Sequence, residues 1–212
     1  MASSRGPGRP RASSAATIHE AALELFLERG YDAVSVEDIA RRAGVSRGTI
    51  FSYCESKADA LWVDLDAAIA RASESLEHER AEAGQAPVRA GASGAVAALV
   101  EVIVRAVEPW GATPPAALRD ARAMGAEAAL RDGAAARLQP LLDRAALALA
   151  LERDVLPESP AAAVAPTAII AGACAALVAW AATPARPDVA PAMREALEPL
   201  AVASRIHNDL RG

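Results

Sequence analysis

Two short segments separated by one glycine constrain the fold of this chain more than any other feature. Residues 35–54 read SVEDIARRAGVSRGTIFSYC. Ser35 and Ser46 each precede a run with helical spacing, and Gly44 lies between the two runs. Serine favours the start of a helix and glycine its end. Asp38 follows Ser35 at the spacing of a capping box. The stretch therefore predicts two short helices joined by a tight turn.

An apolar helix that ends at Gly30 precedes this pair and can brace it. At 100° per residue, Ile50 and Cys54 fall on one side of the last helix, with Phe51 at the edge of that side. The opposite side is an arc of about 140° that carries Gly48, Thr49, Ser52 and Tyr53. Three helices in this order predict a helix-turn-helix, whose last helix enters the DNA major groove.

The composition favours helices throughout the chain. Hydrophobic residues make up 53% of the 212 residues, aromatic residues only 3%, and alanine is abundant. Alanine and leucine are strong helix formers, and strand-type runs are scarce. We predict an all-α protein in which a helix-turn-helix head precedes a helical-bundle body. The predicted helices, about nine, cover residues 13–29, 35–43, 46–54, 57–83, 96–107, 114–124, 127–153, 161–182 and 189–208.

Charge and composition divide the chain into three parts: a flexible basic arm over residues 1–12, a DNA-binding domain over 13–56, and a ligand-binding and dimerisation domain over 57–212. The net charge is −5, yet residues 1–57 hold eight Lys/Arg against seven Asp/Glu. A basic head on an acidic body agrees with DNA binding by the head alone. Arg9 and Arg11 of the arm are candidates for the minor groove, although a plain tail remains the alternative.

Several classes of protein are disfavoured. The N-terminus lacks an apolar signal-peptide core, and the alanine-rich stretch 161–182 indicates a buried helix, so we predict a cytoplasmic protein. Cys54 and Cys174 are expected to be reduced core residues. The three histidines fall on separate helices and predict no metal site. No catalytic or phosphate-binding motif is present, and we predict neither an enzyme nor a cofactor.

Residues 17–61, TIHEAALELFLERGYDAVSVEDIARRAGVSRGTIFSYCESKADAL, resemble the TetR family of transcriptional regulators. The resemblance implies a homodimer that binds a palindromic DNA operator and is released by a small apolar effector. More narrowly, SKADALWVDLDA is similar to regulators of mycofactocin-type gene clusters, which implies an acyl-CoA-like effector. Repression is the usual mode of the family.

The resemblance also implies the DNA-contacting residues: Arg47, Gly48, Thr49, Phe51, Ser52, Tyr53 and Lys57, with Ser35 at the start of the motif. Thr49, Tyr53 and Lys57 are expected on phosphates, and Arg47 and Ser52 at base edges, with Arg47 suited to guanine. The chain departs from the family twice. Phe51 stands where tyrosine is usual, and Cys54 stands where phenylalanine is usual.

Two further sites are predicted in the body. The large side chains of an alanine-rich bundle suggest a ligand pocket formed by Trp62, Ile103, Val107, Trp110, Met124, Leu138 and Leu142, although core packing explains each of them individually. The two last helices suggest a dimer interface through Ala173, Leu177, Trp180, Leu197 and Leu200, with an internal helix pair as the alternative. The competing function is a helical small-molecule-binding or adaptor protein that does not read DNA.

Overall fold

The computed structural model describes residues 11–83 and 94–209, and every regular element within these two ranges is helical. The ten α-helices are α1 (Arg11–Arg29), α2 (Val36–Ala43), α3 (Arg47–Phe51), α4 (Lys57–Ala83), α5 (Ala95–Val107), α6 (Ala116–Arg119), α7 (Ala121–Met124), α8 (Glu127–Arg153), α9 (Pro160–Ala182) and α10 (Val189–Asp209). A 3-10 turn, Glu108–Trp110, follows α5. The prediction of an all-α chain is confirmed.

Two predicted helices differ in the structure. The single helix expected over 114–124 is two helices, because the backbone of Asp120 (φ −108°, ψ 8°) leaves the helical region between α6 and α7. This raises the expected nine helices to ten in the described ranges. The helix expected to reach Cys54 ends at Phe51, and Ser52 and Tyr53 form the turn that follows.

The ends of the short helices follow their sequence signals. The Ser35 hydroxyl accepts from the Asp38 amide, and the Asp38 carboxylate accepts from the Ser35 amide at 3.1 Å, which completes the capping box. Gly44 closes α2 with φ +67°, a left-handed conformation that a side chain would strain. The Ser46 hydroxyl accepts from the Thr49 amide and begins α3. These caps fix the turn between α2 and α3.

The chain divides into two compact units. The first contains the residues up to Val63 together with Asp120–Gly133, so it combines α1–α3 with the start of α4, α7 and the start of α8. Its interior is apolar: Ile18, Leu25, Phe26, Ile39, Ile50, Leu61 and Met124 are at most 1% exposed. These residues hold α2 and α3 on α1.

The second unit contains Asp64–Arg119 and the chain from Ala134 onward, and its core is built mainly by α5, α9 and α10. By length and composition alone α9 could cross a membrane, but only 28% of its most apolar window is buried in the fold. Ile169, Ile170 and Ala173 supply the buried side. Helix α9 therefore has a core-facing side and an outward apolar side.

Candidate DNA-binding site

The recognition surface is formed by α2, α3 and the turn after α3. Ile50 is fully buried and Cys54 is 6% exposed, so the apolar side of α3 is anchored in the head as predicted. The amides of Tyr53 and Cys54 both donate to the carbonyl of Ile50. The opposite side of α3 is thereby held outward, and Arg47, Gly48, Phe51 and Ser52 are all exposed.

Arg47 is the most exposed cation of this surface, and its position is defined by two neighbours. Its Nη2 lies 3.1 Å from Oε1 of Glu37 on α2. Its guanidinium carbon lies 5.7 Å from the centroid of the Phe51 ring. The side chain nevertheless remains 74% exposed. The guanidinium is thus positioned by α2 and α3 while its donors stay accessible, as base readout requires.

The hydroxyl groups predicted to contact DNA form local hydrogen bonds. Thr49 Oγ1 lies 2.8 Å from Ser46 Oγ, and the Ser52 hydroxyl donates to the Thr49 carbonyl at 2.7 Å. The Ser35 hydroxyl donates to Asp38 at 2.7 Å. The hydrogen bonds from Ser35, with smaller contributions from Arg41 and Arg29, lower the pKa of Asp38. Ser35 therefore acts first as a helix cap.

Lys57, for which the resemblance implies a phosphate contact, makes contacts within the head. Its ammonium group donates to the Tyr31 carbonyl at 2.8 Å and lies 3.4 Å from the Asp32 carbonyl. It also stands 4.2 Å from the centroid of the Tyr31 ring. Burial, followed by the charges of Asp32 and Asp59, raises the pKa of Tyr31. Lys57 therefore joins the start of α4 to the turn between α1 and α2.

Arg42 of α2 is engaged within the head. Its guanidinium binds Glu24 at 3.2 Å and Glu28 at 2.5 Å on α1. The bond from Arg42 lowers the pKa of Glu28. The sequence signal for this brace is the spacing of the two glutamates, because residues four apart share one face of a helix. Arg42 thus fixes α2 against α1.

The two departures from the family pattern have different consequences. Phe51 is 44% exposed, so its ring lies on the recognition surface and not at the edge of the core. Cys54 remains in the core, where burial raises the pKa of its thiol. The missing tyrosine hydroxyl therefore changes the exposed surface that is predicted to contact DNA, whereas the missing ring changes the packing beneath it.

The arm and the body residues complete the predicted set. Arg9 lies outside the described residues, and Arg11 is the first residue of α1. Of the predicted pocket, Ile103 and Val107 are core residues of α5, and Trp110, Leu138 and Leu142 pack against the same core. Trp62 and Met124 are buried in the other compact unit, 5% and 0% exposed. The structure thus divides the predicted pocket residues between the two units.

The predicted dimer residues are placed on the inner side of their helices. Ala173, Trp180 and Leu197 are at most 6% exposed within one chain, and Trp180 donates its indole N–H to the Pro187 carbonyl at 2.9 Å. Leu177 and Leu200 are partly buried against this core. A side chain enclosed by its own chain has little surface left for a partner. Within one chain, Ala173, Trp180 and Leu197 thus keep little accessible surface, and Leu177 and Leu200 keep more.

Metal ligands do not cluster in the part of the chain that the structure describes: it contains no group of three or more His, Cys, Asp or Glu that could hold an ion. Of the two cysteines, Cys54 is buried and Cys174 is partly buried. The chemistry of the recognition surface is thus that of hydrogen-bond donors and exposed guanidinium groups.

Comparison with known proteins identifies the head. Residues 18–61 match the family model described as bacterial regulatory proteins, tetR family. A putative mycofactocin biosynthesis transcriptional regulator, MftR of Mycobacterium tuberculosis, is 42% identical over 64 residues, which are 30% of this chain and 32% of that protein. The chain spans about a third of the length of the curated relatives that it matches. The narrower sequence resemblance is thus confirmed as a partial similarity.

Solved structures extend the likeness to the whole fold. Thermus thermophilus FadR, a TetR-family transcriptional repressor in complex with lauroyl-CoA, is 25% identical, with a TM-score of 0.51 over 88% of this chain and 92% of that chain. The complex of SmeT with triclosan is 21% identical, with a TM-score of 0.59 over 90% of this chain and 91% of that chain. SmeT is the repressor of a multidrug efflux pump of Stenotrophomonas maltophilia.

Proposed function

We propose that this chain is a ligand-responsive repressor that binds a palindromic operator as a homodimer. The match of residues 18–61 to the family model of bacterial regulatory proteins, tetR family, supports this proposal. The observation that carries the proposal is the exposed Arg47 on a short helix whose other side is anchored by Ile50. Two such helices, related by a two-fold axis, suit half-sites about one helical turn apart. A DNA-bound repressor acts in the cytoplasm.

DNA recognition is tested with the DNA that flanks the protein's own gene. Arg47→Ala is expected to weaken binding to the preferred site about tenfold or more and to relax the preference at one base pair of each half-site. The reason is the loss of a bidentate donor to guanine. Mobility shifts on the preferred and base-substituted duplexes measure both effects. Arg131→Ala, which removes an exposed arginine from α8 outside the recognition surface, is the control.

The competing function is an adaptor or small-molecule-binding protein without DNA recognition. The Phe51 and Cys54 departures and the acidic charge of the chain favour it. It predicts that Arg47→Ala leaves every mobility shift unchanged. The competing function is supported if, at several salt concentrations, the parent protein shifts the flanking DNA no more than it shifts an unrelated duplex.

The dimer is proposed to form through the outward side of α9. Exposed small apolar residues recur there at spacings of three and four: Ala161, Val164, Ala168, Ala171, Ala175, Val178 and Ala182. Val164 and Val178 are 65% and 59% exposed. Alternating spacings of three and four place these residues on one stripe of the helix, the pattern that packs helices together. Small side chains allow the helices of two copies to approach closely.

Ala171→Glu, at the middle of this stripe, is expected to convert the dimer into monomers and to abolish operator binding. A buried carboxylate at a helix pair has no partner to offset its desolvation. Sedimentation velocity and mobility shifts measure the two effects. Glu195→Ala on the exposed side of α10 is the control. A dimer that persists with Ala171→Glu places the interface elsewhere.

The effector is proposed to enter the second unit between α5 and α8 and to displace α4. Ionic contacts hold α4 there: Asp66 binds Arg137 at 2.8 Å and Glu77 binds Arg144 at 2.5 Å, both on α8. An effector with an anionic group could take these arginines from α4, and an apolar chain could occupy the core beside them. Acyl-CoA has both parts, and the bound lauroyl-CoA of the Thermus repressor supports this class.

Titration of the protein–operator complex with lauroyl-CoA tests this class. Release of DNA is expected for lauroyl-CoA, and weaker release for coenzyme A or laurate alone, since each supplies half of the contacts. A ligand shifts the equilibrium only by its difference in affinity for the two states. If lauroyl-CoA binds the protein but leaves operator affinity unchanged, its binding does not act on the head through α4. If it does not bind, an uncharged apolar ligand such as triclosan is the next probe.

A further inference from the structure

Arg47 is paired with an acid on the surface that is proposed to face DNA. Glu37 lies on α2 and is 48% exposed, and its Oε1 is 3.1 Å from Arg47 Nη2. The ring of Phe51 supports the same guanidinium at 5.7 Å. The carboxylate and the ring come from different helices, and both helices are fixed by their caps and by the buried Ile39 and Ile50. This arrangement presets the direction of the Arg47 side chain.

A carboxylate beside Arg47 weakens the sequence-independent attraction between this arginine and the DNA phosphates. Phosphates attract cations without regard to sequence, and each phosphate contact steepens the dependence of affinity on salt. Glu37 places a negative charge 3.1 Å from Arg47 Nη2 and competes with the phosphates for this guanidinium. Exposed ion pairs contribute little to stability. The pair therefore matters for the charge of the recognition surface and not for the folding of the head.

A guanine can replace the contact that Arg47 loses when it leaves Glu37. Its O6 and N7 accept two hydrogen bonds from one guanidinium in a single plane. The freed carboxylate of Glu37 can accept a hydrogen bond from the N4 amino group of a cytosine. Adenine also offers an amino group in the major groove, but its N7 acceptor lies beside it and would repel a carboxylate. On a G·C-containing site both members of the pair thus retain partners, whereas on a phosphate Arg47 finds an acceptor and the carboxylate of Glu37 finds no donor.

We propose that Glu37 is a specificity-determining residue: its carboxylate keeps Arg47 off the phosphates and reserves it for a guanine edge. The inference rests on the proposed DNA-binding function. Phe51 is the second positioning residue, because its exposed ring supports the guanidinium at the place where the family usually has a hydroxyl for a phosphate. The change from tyrosine to phenylalanine then moves this surface from phosphate contact toward base readout.

Glu37→Gln, which keeps the shape of the side chain and removes its charge, tests the proposal in the full-length protein. Binding to a short duplex of random sequence is expected to tighten about three- to tenfold at low salt, and the plot of log affinity against log salt to steepen by about 0.9 for each added phosphate contact. In vitro selection from a randomised duplex pool is expected to return a motif with a weaker G·C preference in each half-site. Fluorescence anisotropy provides the affinities.

Glu20→Gln on α1 changes the net charge by the same amount on another exposed acid and is the matched control. Its effect on random-sequence DNA is expected to stay below about twofold. In the double variant Arg47→Ala, Glu37→Gln, the gain from Glu37→Gln is expected to vanish, since Glu37 acts through Arg47. Urea unfolding midpoints are expected to match for the parent and Glu37→Gln.

The outcomes separate the inference from the function on which it rests. If the parent protein selects no motif, the DNA-binding function fails. If the parent selects a motif and Glu37→Gln returns the same motif with the same salt dependence, only the role of Glu37 fails. A gain for Glu37→Gln that persists without Arg47 also contradicts the proposal, because it reduces the effect to general electrostatics.

Discussion

Lys57→Met is expected to lower the free energy of unfolding by about 2–4 kcal/mol, from the loss of charge-assisted hydrogen bonds and a cation–π contact. The ammonium of Lys57 binds the Tyr31 and Asp32 carbonyls and lies over the Tyr31 ring. Methionine keeps the apolar stem but cannot donate to the carbonyls. Urea unfolding of the full-length protein measures the loss, and Lys57→Arg, which retains the charge and donors, is expected to recover part of it.

The same variant distinguishes a tie within the head from a phosphate contact. A lost phosphate contact lowers the slope of log affinity against log salt by about 0.9 for each subunit, whereas a lost internal tie leaves this slope unchanged. Lys57 is the only lysine in the sequence, so ¹³C-methylation gives one side-chain signal to follow when DNA is added. A stable Lys57→Met protein with a reduced salt slope would restore Lys57 to the DNA interface.

Local signals were sufficient to predict the head. The capping serines, the glycines at positive φ and the spacing of apolar residues each act within a few residues, and the structure has them where the sequence placed them: Ser35, Gly44, Ser46 and Ile50. The tie from Lys57 to Tyr31 joins residues 26 positions apart. Spacing along one helix carries no information about such a contact. The resemblance implies a phosphate contact for Lys57, and the salt dependence of DNA binding tests it.

In the body, the sequence did not show which side of a helix packs against the core of its own chain. Helix α9 is apolar on all sides, so its sequence periodicity does not separate a core-facing side from a partner-facing side. The structure separates them: Trp180 and Ala173 face inward, and Val164 and Val178 face outward. The pocket prediction had a similar origin. Large side chains stand out in an alanine-rich sequence and were therefore predicted to line a pocket. In the structure Trp62 packs closely against Gly133 of α8.

Gly133→Ala is expected to destabilise the protein by about 1–3 kcal/mol, although alanine is the better helix former. A Cβ atom at Gly133 would lie 2.8 Å from Nε1 and 3.3 Å from Cε2 of Trp62, and this indole is only 5% exposed. The buried ring has little room to move, so overpacking outweighs the gain of roughly 1 kcal/mol that removing a helical glycine brings. The midpoint and slope of urea unfolding measure the result.

Gly48→Ala on α3 is the matched control, because its Cβ would meet only Ser46 Oγ at 3.8 Å. Here the same substitution is expected to leave stability unchanged or raise it by up to about 1 kcal/mol, while the added methyl group on the recognition surface weakens operator binding. If the change in stability is negative for Gly133→Ala and zero or positive for Gly48→Ala, then Gly133 is required for packing. Weaker operator binding by Gly48→Ala would show that Gly48 allows the close approach of DNA. If Gly133→Ala is as stable as the parent, the Trp62 indole must be able to move away from the added methyl group. The space around this indole would then be the first place to look for an effector.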